Sequence, residues 1–598
     1  MTIKFTNMLK ILFVLLVVMV LARAALSETF IVTTTADSGV GSLREAIEQA
    51  NSTPGSDDIT FGIFGTGTHT IQPASPLPEL TEEVVIDGYT QPGSQPATDT
   101  SNAVLNIVLD GSSSSGHLGL LSIDPTANGS EIRGLVISNY DRNGIFIEEG
   151  ANGNVIEGNY IGTDYTGTAG QPNLNCGIFI RSSNNRIGGT TPDARNVISN
   201  NVEGGITIYG PAASGNQVLG NFIGTDASGM SYLPNSGVGV GINDAPDNVV
   251  GGTTSGSRNV VTSIDISNPG ATNNQIVGNY IGINATGDDL LSGRYTDGCG
   301  VLIKDAFNNV VGPGNVISGC IRGVIIWPGA SYTSVHDNYI GTDATGQLLI
   351  GNEWDGVTVN ASHNRIEGNV VSGSSSNGVY VAQAFLSGIL SEMPSQNIIA
   401  DNIIGMTIDG DPAPNTNGIV INTAVSTTVS GNMIAWNIGT GVGVANDLPW
   451  AEEELAVGNR ITQNAIYDNG GLGIELVPDG VTPNDPGDTD TGPNNFMNFP
   501  KLTSAMATLG QLVVMGTIDT PNLMSVTLEF FANSDPDDTG YGEGEVYLGT
   551  AKPNATGSFV AALPAVSPEM WISATATDGD GNTSEFSESI LATAPGKP

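Results

Sequence analysis

The sequence predicts an all-β protein: a parallel β-helix solenoid with an N-terminal helical cap, followed by a small immunoglobulin-like β-sandwich. Three observations predict it. The stretch Gly158-Asn159-Tyr160-Ile161-Gly162-Thr163-Asp164 returns as Gly220–Asp226, Gly278–Asn284, Asp337–Asp343 and, decayed, Asp401–Gly405, with its asparagines 62, 58, 59 and 64 residues apart. A fixed period of this kind marks a stacked repeat. A second row, Asn196, Asn259, Asn315 and Asn369, falls between the first. The interleaved intervals of 37, 25, 38, 20, 36 and 23 residues divide each unit into two coils, one bare and one carrying an inserted loop. The third observation is a recurring glycine-started strand: Gly144–Ile147, Gly177–Ile180, Gly205–Ile208, Gly300–Ile303, Gly356–Val359, Gly378–Val381, Gly418–Ile421 and Gly473–Leu476. Its β-branched residues stand two apart, so Ile145 and Ile147, or Val357 and Val359, point the same way and stack inward. Glycine is expected to supply the turns. The recurrent asparagine is expected to sit in a bend and bond along its own row, coil to coil.

Composition agrees with a solenoid and narrows the partners. Eighty glycines and 6% aromatics in 598 residues argue against an ordinary enzyme core. Sixty acids face 18 bases, a net charge of -42, so the surface repels nucleic acid and anionic membranes and suits an extracellular protein. Cys176, Cys299 and Cys320 are odd in number and cannot form a disulfide framework. Cys176 and Cys299 precede strand starts, where a small buried thiol is expected.

In chain order, Lys4 and Lys10, the apolar run Ile11–Leu21 and Ala22-Arg23-Ala24 read as a signal peptide over residues 1–24, with no transmembrane span in the mature chain. Residues 25–83 are expected to form a strand and helix cap. Ser42 and Glu45 have capping-box spacing at the start of Leu43–Ala50, an amphipathic helix suited to covering the open solenoid end. The segment Thr34–Ile47, with Asp58–Phe61 and Val85–Gly88, resembles the start of secreted bacterial β-helix repeat proteins that carry a Cys-Ser-Leu-Arg-Glu-Ala motif and are related to the polymorphic outer-membrane proteins. Gly41 stands where that motif has its cysteine, so any role of the thiol is absent. The resemblance implies a right-handed parallel β-helix of the pectin-lyase-like class and little chemistry, since most members have no assigned activity.

The β-helix is assigned to residues 84–478 and an acidic Pro/Gly linker to 479–499. The β-sandwich is assigned to 500–598, with strands at Leu512–Ile518, Ser525–Ala532, Glu545–Leu548, Ser558–Leu563 and Trp571–Ala576. The close of that module, Ala574–Phe586, is similar to the terminal module of the same secreted family.

Two sets of acids are candidate sites. Asp164, Asp226 and Asp343 recur in the inserted loops, but two coil spacings of ~4.8 Å put equivalents ~10 Å apart, too far to share a calcium ion, which takes oxygens at about 2.3–2.6 Å. They read as an array, each making an Asx-type turn closed by Gly167, Gly229 or Gly346, or else displaying a repeated binding loop. Asn284, closed by Gly287, keeps the turn chemistry and loses the charge. Asp485, Asp488 and Asp490, with Asp479 nearby, read as a calcium loop or as a plain acidic linker; Asp535, Asp537, Asp538, Asp578 and Asp580 are weaker versions.

For enzymes, the pectin-lyase resemblance implies a calcium-bound carboxylate with an Arg or Lys base in lyases, and paired aspartates with Gly-His-Gly in hydrolases. Lys304 is the only lysine of the predicted helix, His336 and His363 are isolated, and Arg195 and Arg258 share one repeat position, which suits a solenoid feature. No hydrolase pair stands at a recognisable spacing. The expectation is therefore a secreted or cell-surface protein, a monomer, with a binding, adhesive or structural role towards a polysaccharide or other surface polymer. It needs no cofactor, though calcium is a candidate. The alternative is an extracellular polysaccharide lyase or glycoside hydrolase, an analogy from fold class alone.

Overall fold

The computed structural model describes residues 27–594 except 294–297, 387–388, 447–455, 479, 509 and 538, and of 386 and 389 the backbone only. The predicted leader, residues 1–24, lies outside these. The chain winds as a right-handed parallel β-helix through three sheets of 15, 14 and 13 strands, here sheets 1, 2 and 3. One coil shows the pattern: Val155–Glu157 in sheet 1, Tyr160–Ile161 in sheet 2, Cys176–Ile180 in sheet 3. Each strand pairs in parallel with its equivalent one coil on, Ile156 with Ile187, Ile161 with Ile198, Ile178 with Ile206. These inward residues are fully buried, as are Ile145, Ile147, Val357 and Val359. Each buried β-branched side chain contributes roughly 1.5–3 kcal/mol of hydrophobic stabilisation.

The sharp corners are held by asparagine. Between sheets 1 and 2 the ladder runs Asn159, Asn196, Asn221, Asn259, Asn279, Asn315, Asn338, Asn369, Asn402, Asn432, Asn464. Each Nδ2 donates to the next Oδ1 at 2.9–3.2 Å. The expected coil-to-coil row is thus present. A second ladder, Asn154, Asn185, Asn216, Asn248, Asn274, Asn309, lines the corner between sheets 3 and 1 at 2.9–3.2 Å. Shorter runs, Asn173–Asn201–Asn235 and Asn415–Asn437–Asn469, line the third corner.

The strand-starting glycines act differently from the turn role expected of them. Gly144, Gly177 and Gly205 do not have left-handed backbones; a Cβ on Gly205 would lie 2.5 Å from Gly239 O of the next coil and 2.7 Å from Ile223 Cγ2. They permit close approach of sheet 3 to sheet 2. The left-handed positions are those of the recurring stretch, such as Gly158 at φ 66° and Gly162 at φ 85°.

Both solenoid ends are covered. The helix Leu43–Ala50 lays Leu43, Ala46, Ile47 and Ala50 on the first coil. Ser42 Oγ accepts from Glu45 N at 3.2 Å, while the Glu45 carboxylate reaches Gly41 N at 2.6 Å, one residue before the cap. Gly41 has φ 80°, and a side chain there would strike Thr33 Oγ1. Strands Thr29–Val32 and Asp57–Phe61 already belong to sheet 1, so its ladder starts within the stretch read as cap.

The C-terminal module is a sandwich of a three-stranded sheet (Lys501–Ala507, Leu512–Thr517, Ser558–Leu563) and a four-stranded one (Thr527–Asn533, Val546–Ala551, Trp571–Thr577, Ile590–Leu591). The first and last of these seven strands were not foreseen. The module closes the solenoid: Phe531 and Phe586 join the solenoid core, and Ile466 and Gly544 exchange two backbone hydrogen bonds at 2.9 and 2.7 Å. The preceding acidic stretch is packed in as well, Asn494 Oδ1 accepting from Asn459 N at 3.0 Å. Amides of the last coils that lack a further strand are met by carboxylates. Glu585 accepts from Leu476 N and Thr482 N, Glu529 from Gln463 N, and Glu543 from Asn469 N.

Two outcomes are expected. Asn221→Ala strands the Asn196 donors and frees Ile187 O and Leu219 O. It should cost about 2–4 kcal/mol, read by denaturant titration with the β circular dichroism retained. The second concerns pH. Burial pushes the Glu585 and Glu543 carboxyls up to about 7, and Glu529 is raised by the same cause. A carboxyl raised on folding favours the folded state in its protonated form. Its contribution is therefore complete below the unfolded value of 4.5 and is lost as pH rises to about 7. The melting temperature should fall across that window by a few degrees, roughly, and Glu585→Gln should flatten the decline. A flat profile in the wild type would contradict the burial-driven rise of these carboxyls, since the amide bonds they accept act in the opposite direction.

Candidate functional site

The inserted loops are built around their own acids. Asp164 accepts from Thr166 Oγ1, Thr168 N and Ala169 N. Asp226 does so from Ser228 Oγ, Met230 N and Ser231 N, and Asp343 from Thr345 Oγ1, Gln347 N and Leu348 N. Asn284 makes the neutral equivalent with Thr286, Gly287 and Asp288. Burial acts against ionisation of Asp343, yet the bonds from Leu348, Thr345 and Gln347 hold its carboxyl below the usual value. Consecutive loops also touch, through Ala227 N to Gly167 O, Ala285 N to Gly229 O and Ala344 N to Gly287 O at 2.8–3.0 Å. Between them and sheet 2 lies a second apolar cluster, including Tyr160, Phe222 and Tyr280. Arg195 sits 4.2 Å over Phe222 and Arg258 4.1 Å over Tyr280, placing both repeated arginines in structural cation–π contacts.

The three acids Asp485, Asp488 and Asp490 converge, with ligand atoms within 4.8 Å of one another. Thr489 donates its amide and hydroxyl to Asp485, which lowers that carboxyl's pKa. Asp488 accepts from Asn498 N and Thr520 Oγ1. Asp490 Oδ1 has no hydrogen-bond partner among the described residues. Burial raises both Asp488 and Asp490, and the Asp485 charge adds to each. Asp488 and Asp490 share a cleft of about 820 Å³ with Thr520, Asp578 and Asp580. Asp578 accepts from Asp580 N and Asn582 N, and Asp537 from Thr539 N, as turn residues do. Asp479 and Asp538 lie outside the described residues.

The outer face of sheet 3 carries a different chemistry. Phe146, Phe179 and Tyr209 on successive coils have ring centroids 5.8 and 5.9 Å apart. With Asn143, Asn175 and Arg181 they line a cavity of about 330 Å³. Further along, Lys304 Nζ lies 5.7 Å from the Trp327 ring, and Arg322 lies 4.3 Å over Trp354 while pairing with Asp355 at 3.4 Å. Asp265 is on the strand next to Lys304. Sequence reasoning missed this face, although its signal was present: the letter between the two inward residues of each glycine-started strand, from Phe146, Phe179 and Thr207 to Tyr380, Val420 and Glu475, points outward. His336 pairs with Asp337 at 2.9 Å, and the His363 ring lies 5.1 Å from Tyr332. Burial pushes the Cys176 and Cys299 thiols up to about 11; Cys176 is buried as expected, whereas Cys299 is half-buried.

Comparison with known proteins gives a partial family match and distant structural likenesses. Residues 341–470 match the periplasmic copper-binding protein (NosD) family. No curated protein matches. A double mutant of the periplasmic alginate epimerase AlgG is 14% identical with a TM-score of 0.27, over 63% of this chain and 66% of that one, so the chain spans just under two thirds of its length. The A-module of the Azotobacter vinelandii mannuronan C-5 epimerase AlgE4 is 11% identical with a TM-score of 0.29, over 77% and 100%. Bacteriophage CBA120 tailspike protein 3 is 11% identical with a TM-score of 0.30, over 75% and 62%. Values this low say nothing about what this chain acts on. Among the described residues no helix is long and apolar enough to cross a membrane.

Proposed function

We propose that this is an exported β-helix protein that binds an extended polysaccharide along the outer face of sheet 3. The observation that supports this reading is the placement of aromatic side chains. The sheet 2 rings Tyr160, Phe222 and Tyr280 are buried under the inserted loops, and Tyr165, Tyr332 and Trp436 are exposed singly elsewhere, whereas on the sheet 3 side the half-exposed Tyr209 and Trp354 (44% and 50%) accompany the stacked Phe146 and Phe179 and the Lys304–Trp327 contact. An aromatic face rimmed by Asn, Arg and Lys offers stacking and hydrogen bonds together, the combination a sugar polymer needs. The test is affinity electrophoresis through a panel of neutral and acidic polysaccharides. Retardation of the wild type that is reduced about tenfold or more by a Trp327→Ala, Trp354→Ala double change is expected; mobility unchanged by every polymer would sink the reading. The same panel checks for chain cleavage, and turnover abolished by Lys304→Ala would replace binding by catalysis.

We also propose a structural calcium ion at Asp485, Asp488 and Asp490. Three convergent carboxylates repel one another without a cation, and hard oxygen ligands suit calcium. The melting temperature should rise by a few degrees, roughly, in millimolar calcium and return on chelation. An unchanged value, or an equal rise in Asp488→Asn, counts against it.

A further inference from the structure

The outward row of sheet 3 reads Phe146, Phe179, Thr207, Gly241, Asp265, Leu302, one residue per coil in register. At Gly241 the row has no side chain, so Thr207 and Asp265 face each other across two strand spacings, about 10 Å. The backbone does not require this glycine. It does not have a left-handed φ, and an added Cβ would meet only Val238 Cγ2 at 3.2 Å, Thr207 Oγ1 at 3.9 Å and Ile206 O at 4.0 Å. A glycine inside a strand weakens it and suits a place where a ligand approaches the backbone closely.

The walls of the gap have ligand-binding chemistry. On one side Tyr209 ends the aromatic stack. Phe179 packs against it at 5.9 Å, and the next residue in its row is Asn243, on the strand of Gly241. On the other side Asp265 Oδ1 has no hydrogen-bond partner among the described residues. Burial raises this carboxyl, with Ser267 and the Lys304 charge acting against the rise. Asp265 and Val238 also line a cavity of about 360 Å³ that includes Ser263, Cys299 and Leu302.

We propose that the gap at Gly241, between Thr207 and Asp265 with Tyr209 one row over, is a subsite for one neutral sugar ring of a polysaccharide laid along this face. The proposal rests on the polymer-binding reading above and adds the position and the class of sugar. A tyrosine ring takes the apolar C–H face of a pyranose. An ionised carboxylate accepts hydrogen bonds and donates none, so its partners are hydroxyls. A carboxylate wall on a protein of net charge -42 disfavours an acidic sugar in the same place.

The test is isothermal titration of the chain without its leader against cellohexaose, laminarihexaose, maltohexaose and hexagalacturonate. Gly241→Val adds a β-branched residue to a strand, so the fold should be retained, verified by melting temperature, while the gap is filled. Gly241→Val and Asp265→Ala should each weaken binding of a neutral hexasaccharide about tenfold or more. If Trp354→Ala weakens binding and Gly241→Val does not, the subsite is overturned and the broader reading stands. Tightest binding of hexagalacturonate overturns the neutral-sugar assignment. Binding of none overturns both.

Discussion

Every coil of this solenoid turns three corners, and at each corner backbone groups leave the sheet ladders and need other partners. Buried amides left unpaired cost about 1–3 kcal/mol each, so unmet corners along sheets of 15, 14 and 13 strands would exceed the stability of any domain of this kind. Asparagine meets the need because one side chain both donates and accepts. Asn221 takes the Asn196 amide and side chain while donating to Asn259, Ile187 O and Leu219 O. The stacked array therefore depends on a polar ladder as much as on its isoleucine rows. Its bonds repeat from coil to coil alongside the parallel strand pairing and so reinforce the same register.

That regularity explains why the repeated acids are structural. A loop inserted at the same corner of alternate coils meets its own copy, and the Ala227 N to Gly167 O contact extends the stacking outside the barrel of the solenoid. The aromatic residues after the ladder asparagines of the loop-bearing coils, Tyr160, Phe222, Tyr280 and Tyr339, fill the space beneath, and Arg195 and Arg258 from the intervening coils cover Phe222 and Tyr280. Asp226 then serves the turn from within. A loop engaged on all these sides has little freedom left for a ligand.

The fold was legible because its determinants repeat. The G-N-x-I asparagines gave the period, and inward Ile145 and Ile147 gave the strand. What escaped was whatever the period does not contain. The second ladder, Asn154 to Asn309, escaped although each of its asparagines stands two residues before an inward Ile or Val, as in Asn216-Gln217-Val218, because that word is short and its other positions vary. The glycine stack was read as turn chemistry because sequence does not separate a left-handed glycine such as Gly158 from one, such as Gly205, that yields room to a neighbouring coil. The docking of the C-terminal module escaped because Glu529, Glu543 and Glu585 come from separate segments of a β-sandwich and meet the last coils only in three dimensions.

The same distinction separates scaffold from recognition. A face repeated every coil, about 4.8 Å apart, presents a polymer with many equivalent registers, and such binding slides. One register is fixed only where the outward row departs from its neighbours. On sheet 3 that departure is concentrated between Tyr209 and Lys304, where a ring, a missing side chain, a carboxylate and an ammonium follow one another on four consecutive strands. The repeating residues set the distances, and the non-repeating ones decide what occupies them.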